Sequence, residues 1–146
     1  MNVRPAILIQ KNGQILTLEY HYGGQIVYNL PGGNVDFGET MSQTLKREMT
    51  EELGMEVEVG ELIVVGEIHI EEKNKSTLHC LFEGEIIKGE PNINPDQCSA
   101  KEVKWLNISD IDSSNMYPNL KKEILQWINN QPLEDFYVGK IEQPWF

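Results

Sequence analysis

Apolar and polar positions alternate with a strand-like period through most of the chain, and a helical period takes over in two stretches. Val3–Gln10 and Ile15–Tyr20 are apolar, β-rich runs separated by Lys11-Asn12-Gly13-Gln14. The Asn-Gly pair predicts a tight hairpin between them. Gln25–Leu30 reads as a third strand between Gly23-Gly24 and Pro31-Gly32-Gly33, where proline and glycine end any regular element. From Thr40 to Leu53 the period lengthens to that of a helix. Thr40 is placed to cap it, Gln43 completes a capping-box pattern, and Gly54 suits a left-handed C-terminal cap. Met55–Glu72 and Ser76–Ile87 predict a long antiparallel pair around a polar turn at Lys73-Asn74-Lys75, with Gly60 and Gly66 as bends or bulges. Lys88–Ala100 is a loop long enough to have a role beyond connection. Glu102–Leu106 is a short strand, and Ile108–Asp112 suits one helical turn. Asn119–Asn130 is a second amphipathic helix, with Leu120, Ile124, Trp127 and Ile128 on one face. Phe136, Tyr137, Trp145 and Phe146 give the tail enough apolar surface for part of it to pack down.

Composition narrows this pattern to one domain over residues 1–146 with an ordinary globular balance. No apolar run approaches the roughly 18 residues that span a bilayer, and Met1-Asn2-Val3-Arg4-Pro5 lacks the apolar centre of a signal peptide. No membrane partner and a cytoplasmic location are therefore expected. Cys80 and Cys98 form no paired motif; both are expected to be reduced and passive. The net charge of −11 argues against long nucleic acid as a partner. It leaves room for a small phosphate ester, provided that cations offset the charge locally.

The acidic residues of the first helix make that condition concrete. At about 100° per residue, and with Met41 as zero, Leu45 and Met49 form an inward stripe at about +40° and +80°. Glu48 and Glu52 fall at roughly −20° and +20°, beside that stripe, and Glu51 lies on its flank at roughly −80°. Gln43, Lys46 and Thr50 occupy the solvent side. Carboxylates in the last turns meet the negative end of the helix dipole, and Glu48 and Glu52 repel each other at i and i+4. A divalent cation would relieve both penalties, and Mg²⁺ takes oxygen ligands of this kind. The alternative is a set of salt bridges on a solvated face.

Before the helix, Gly32-Gly33 and Gly38 either form a plain turn or bring backbone groups close to a metal-bound phosphate. Glu39 either stabilises the helix start or joins the site. Tyr20, Tyr22, Tyr28 and Phe37 lie near this segment in sequence and are candidates to stack on a base. His69 and His79 lack metal-ligand spacing and read as packing or polar strand residues.

Taken together, Gly33, Glu39 and Arg47-Glu48-Met49-Thr50-Glu51-Glu52-Leu53-Gly54-Met55 have the spacing of a complete signature box. The segment resembles the Nudix hydrolase (MutT-like) family, with Leu30-Pro31-Gly32 as the lead-in. Glu102-Val103-Lys104-Trp105 and the strand order extend the likeness over most of the chain. The resemblance implies an α/β fold, an α/β/α sandwich with a central mixed β-sheet. It implies Glu48, Glu51 and Glu52 as Mg²⁺ ligands, with Mn²⁺ as a substitute and Glu48 as a candidate base. Arg47 would orient a glutamate, Glu39 would support the loop or join the metal shell, and the Gly33 carbonyl would reach a metal. An extra carboxylate from outside the box is expected from Asp96, Glu102 or Glu90. Asp96, Glu102, Tyr28 and Phe37 are the candidates for contact with substrate.

The implied activity is hydrolysis of a phosphoanhydride bond in a nucleoside diphosphate linked to another group, such as a nucleoside triphosphate, a nucleotide sugar or ADP-ribose. A homodimer is compatible with the family. The competing function is a nucleotide-sensing module that does not cut; such modules commonly lose box carboxylates, and this chain keeps them.

Overall fold

The computed structural model describes residues 1–144, so Trp145 and Phe146 lie outside the described residues. Ten elements build it: β1 (Asn2–Lys11), β2 (Gln14–Tyr22), β3 (Gln25–Asn29), α1 (Met41–Leu53), β4 (Glu56–Ile70), β5 (Lys75–Lys88), β6 (Glu102–Asn107), β7 (Met116–Tyr117), α2 (Lys121–Ile128) and β8 (Tyr137–Lys140). The strands form a mixed sheet in the order β7-β3-β2-β1-β5-β4-β8, with β6 on β2. The pairs β1/β5, β3/β7 and β4/β8 are parallel, and the remainder are antiparallel.

The alternation within strands sorts the core onto two faces. Ile7, Ile9, Leu16 and Leu18 join Leu45, Met49 and Leu53 of α1 in one cluster. Ala6, Leu8, Ile15 and Leu81 join Leu120 and Ile124 with Met116 in the other. β1 is buried on both faces from Pro5 to Ile9, which explains its unbroken apolar run. The result is the expected α/β sandwich, with one helix packed on each side of a mixed sheet.

A split in the sheet positions the site. β1 pairs with β2 only at Gln10↔Ile15 and Lys11↔Gln14, next to the hairpin. The strands then diverge, and the loop after β3 takes the freed edge of β1. Ile7 N donates to Pro31 O at 2.9 Å, Gly33 N to Pro5 O and Val35 N to Val3 O, each at 3.3 Å. Gly32 must be glycine here, because a Cβ would lie 2.2 Å from Pro5 O.

Gly60 and Gly66 both lie at register shifts, Gly60 against β5 and Gly66 against β8, as expected of bends or bulges. Gly66 also allows close approach of the tail, since a Cβ there would meet Ile141 and Val138. The tail forms an edge strand, with Val65↔Tyr137 and Glu67↔Lys140 as partners. The second helix is shorter than Asn119–Asn130: Leu120 caps it without a side-chain hydrogen bond, and Asn130 is left-handed at φ 55°. No helix among the described residues is long and apolar enough to cross a membrane.

Candidate active site

The α1 helix begins and ends by local chemistry. Gln43 N donates to Thr40 Oγ1 at 3.2 Å, and Thr40 N donates to Gln43 Oε1 at 2.8 Å. Gly54, at φ 67°, donates its N–H to Thr50 O. The remaining C-terminal carbonyls are met by the loop after β5. Asn94 N donates to Glu52 O at 2.8 Å, Asn92 N to Leu53 O at 3.0 Å, and Asn94 Nδ2 to Glu51 O at 3.3 Å. That is the role of the long loop. It also offsets the dipole cost expected of glutamates in the last turns, because donors from outside neutralise those carbonyls.

Arg47 is the centre of the polar network. Its Nε donates to Glu39 Oε2 at 2.7 Å and its Nη2 to Glu39 Oε1 at 3.0 Å, a bidentate pair. Its Nη1 reaches Glu48 at 2.9 Å and Glu51 at 3.2 Å, and Nη2 also meets Asn34 O and, at 3.4 Å, Asp36. Glu39 is fixed further by donation from Asp36 N and Thr44 Oγ1. The Arg47 hydrogen bond, aided by Asp36 N, holds the Glu39 carboxyl down at about 2. Its carboxylate partners, Glu39 first, raise Arg47 above its usual range. The residue that sequence left between two roles is therefore the anchor of the arginine.

Glu48 and Glu52 meet on the inner flank. Burial, followed by a hydrogen bond with Glu48 and the Glu48 charge, pushes Glu52 up to about 8. Two like charges side by side favour the protonated form of Glu52. Gly33 packs directly on Glu48: a Cβ there would stand 2.4 Å from Glu48 Cδ. Among the described residues no three acidic, histidine or cysteine side chains are gathered as a cation cage; Arg47 holds Glu39, Glu48 and Glu51. The donor set nevertheless fits a hard divalent ion: three carboxylates on one helical flank, with a glycine backbone against one of them.

The remaining candidates are scattered. Phe37 is fully exposed in the loop before α1. Tyr28 packs against the core cluster on the α2 side of the sheet. Asp96 is exposed and donates its backbone N–H to Asn94 Oδ1, two residues from the amide that caps Glu52. Glu102 is exposed on β6 opposite Glu19 of β2. Glu90 lines a hollow of about 420 Å³ with Ile9, Lys11 and Pro91. Tyr20 lies near enough to Glu52 to feel its charge, contacts Cys98 Sγ at 4.0 Å, and stacks on Tyr22 with centroids 5.7 Å apart. Both cysteines are free and buried.

Sequence reasoning missed Arg4 and the capping asparagines Asn92 and Asn94. The signal for Arg4 was available, since it is the one arginine besides Arg47. The asparagines carried none, because their partners are backbone carbonyls some 40 residues away.

Comparison with known proteins agrees with this fold. A family model described as the NUDIX domain matches residues 2–128. No curated protein matches the chain. A MutT protein from Methanosarcina mazei Go1 is 17% identical, with 88% of this chain and 94% of that one covered and a TM-score of 0.71. A NUDIX hydrolase from Nitrosomonas europaea is 22% identical over 91% and 93% of the two chains, at a TM-score of 0.69. An ADP-ribose pyrophosphatase from Streptococcus suis 89-1591 is 17% identical over 97% and 98%, at 0.66. At these identities the structural matches carry the fold, and the family rests on the domain model.

Proposed function

The chain belongs to the Nudix family of pyrophosphohydrolases, and on that premise we propose that it uses a divalent cation to cut a phosphoanhydride bond in a nucleoside diphosphate joined to another group. The observation that carries this reading is the geometry of one helical flank, where Arg47 holds Glu48 and Glu51 and Gly33 packs against Glu48, with Glu52 half-buried beside them. Burial and the Glu48 charge disfavour the ionised form of Glu52 there, and a cation would favour it. Glu48, Glu51 and Glu52 would hold Mg²⁺, or Mn²⁺ in its stead, with the Gly33 carbonyl beside them. Such an ion, when bound, neutralises phosphate charge and acidifies water.

The chain's own residues do the rest. Glu39 pins Arg47 through both of its oxygens, and Arg47 holds Glu48 and Glu51 in register with Glu52. The Glu48–Glu52 pair, in its ionised form, accepts the proton of an attacking water. The water oxygen adds to phosphorus, the phosphoanhydride P–O bond breaks, and its electrons leave with the departing phosphate. Asp96 is the favoured extra carboxylate, because its loop already touches the end of α1; Glu102 is the second candidate.

Nucleoside triphosphates, nucleotide sugars and ADP-ribose all offer such a bond, and the fold is shared with a protein described as an ADP-ribose pyrophosphatase. The free, buried cysteines suit a reducing, cytoplasmic setting, with residues 1–146 acting as one domain. The test is a panel of nucleoside diphosphate derivatives incubated with Mg²⁺ and resolved by chromatography. Paired phosphate products that vanish on chelation are expected. Turnover undiminished by chelator, or no cleavage of any member, would overturn the reading.

A further inference from the structure

Among the described residues Arg47 is bound to carboxylates, whereas Arg4, the chain's other arginine, has no carboxylate within ion-pair distance. Arg4 stands on β1 at the split in the sheet, between the two backbone bonds that tie Val3 and Pro5 to Val35 and Gly33. The same loop presses Gly33 onto Glu48. Arg4 thus sits one strand position from the backbone that touches the glutamates, and its charge is felt by Glu52 and Tyr22.

The guanidinium is held in place and left incomplete. Its carbon lies 5.7 Å from the centroid of the Tyr117 ring, a cation–π arrangement. His79, directly opposite Arg4 on β5, meets the same ring edge-on with centroids 5.3 Å apart. Burial, and then the Arg4 charge, push His79 down to about 3, so it adds no second cation. Arg4 Nη1 is buried without a hydrogen-bond partner, as is Nδ1 of His79 opposite it on β5. A buried donor on a charged group is costly to leave unmet, and a guanidinium fork matches phosphate oxygens best.

We propose that Arg4 is a substrate-binding residue that receives a phosphate oxygen of the nucleoside diphosphate, forming an anion subsite beside the glutamate cluster. The proposal rests on the function given above. It gives this strongly acidic protein a cation for the substrate that is not already neutralised by its own glutamates. Tyr117 and His79 act through Arg4, as positioning residues that keep the guanidinium at the split.

The probe is α,β-methylene-ADP with Mg²⁺, which offers the diphosphate without a cleavable bridge. Its affinity is measured by calorimetry for the wild type, Arg4→Gln and Arg4→Lys, with a thermal melt of each. Arg4→Gln should bind about 10- to 100-fold more weakly, the range for losing a charged hydrogen bond. Arg4→Lys should fall between the two. A second measurement needs no folded variant: the two arginines give two side-chain Nε–H signals in a ¹⁵N spectrum of the wild type. The signal of Arg4 should move on addition of the probe. Binding by the wild type with a stationary Arg4 signal and equal affinity in Arg4→Gln would overturn the proposal and leave the hydrolase reading intact. No binding of the probe to the wild type would overturn the proposal, while the hydrolase reading still stands or falls on the panel of nucleoside diphosphate derivatives.

Discussion

The two helices flank the same sheet but are held by opposite means. α2 is eight residues long, begins at Leu120 without a side-chain cap, and relies on buried Leu120 and Ile124 with Leu125, Trp127 and Ile128 packed beside them. α1 has its own buried stripe at Leu45, Met49 and Leu53, but it is also closed by polar groups at both ends. Apolar burial is non-directional, so it keeps a helix on a sheet without fixing its last few degrees of rotation. Hydrogen bonds to the first and last turns do fix them. The helix with directional closure is the one whose flank carries the glutamates, where small displacements would separate Glu48, Glu51 and Glu52 from whatever they hold.

The sharpest way to break this comparison is to exchange one carboxylate on each helix. Glu52→Gln should lower kcat by about 100- to 1000-fold, the range for removing one group that stabilises transition-state charge. Its melting temperature should hold, since Gln keeps the shape of the protonated acid. Glu123→Gln, in the first turn of α2, should leave kcat and melting close to the wild type. Parallel steady-state assays and melts of the two variants decide the matter; equal losses, or near-normal turnover by Glu52→Gln, would end the distinction.

The same contrast explains what could be seen in the sequence. α1 was legible because its start, its inward stripe and its stop are separate local signals at Thr40, Leu45 and Gly54, and all agree. The glutamates stood out because their helical angles put them beside the apolar stripe. β7 and β8 were not legible, since two and four residues at parallel edges are too few to show a period. Arg4 stood out only as the second arginine, and its role was not legible. Its environment is assembled from β1, β5 and the Tyr117 strand, which are distant in sequence. The capping by Asn92 and Asn94 belongs to the same class, because a side chain or amide that serves another segment's carbonyl leaves no local pattern.

A subtler difference between the helices should appear as a pH dependence that arises on α1. Glu52 is held up at about 8 in the folded chain, above the ordinary carboxylate value of about 4.5. The folded state therefore binds more protons than the unfolded state between these values, and stability falls as pH rises through that window. Glu39 works in the other direction: held down at about 2, it contributes stability above about 4.5 that is lost as pH falls toward 2. In metal-free protein, urea unfolding from pH 5 to pH 9 should show declining stability in the wild type. Glu52→Gln should flatten that decline, and so should Mg²⁺, which would take the place of the proton. A wild-type profile already flat in chelator would mean that burial and Glu48 do not hold Glu52 up.

The smallest effect should come from the polar closure itself. Thr40→Ala removes the side-chain acceptor for Gln43 N and half of the reciprocal pair, at a cost of about 1 kcal/mol. For a chain of this length that is roughly a 3–4 °C fall in melting temperature. If directional closure only stabilised α1, activity below the melting temperature would be untouched. If it also sets the rotation of the glutamate flank, kcat should fall further than the melt accounts for while KM stays near its wild-type value. Thr44 and Glu39 lie within the first turn and its approach, and Glu39 is what Arg47 leans on. A loosened start therefore reaches Glu48 and Glu51 through two charged hydrogen bonds. An assay at 25 °C, far below either melting point, separates the two outcomes, and a kcat equal to the wild type would reduce the cap to a matter of stability alone.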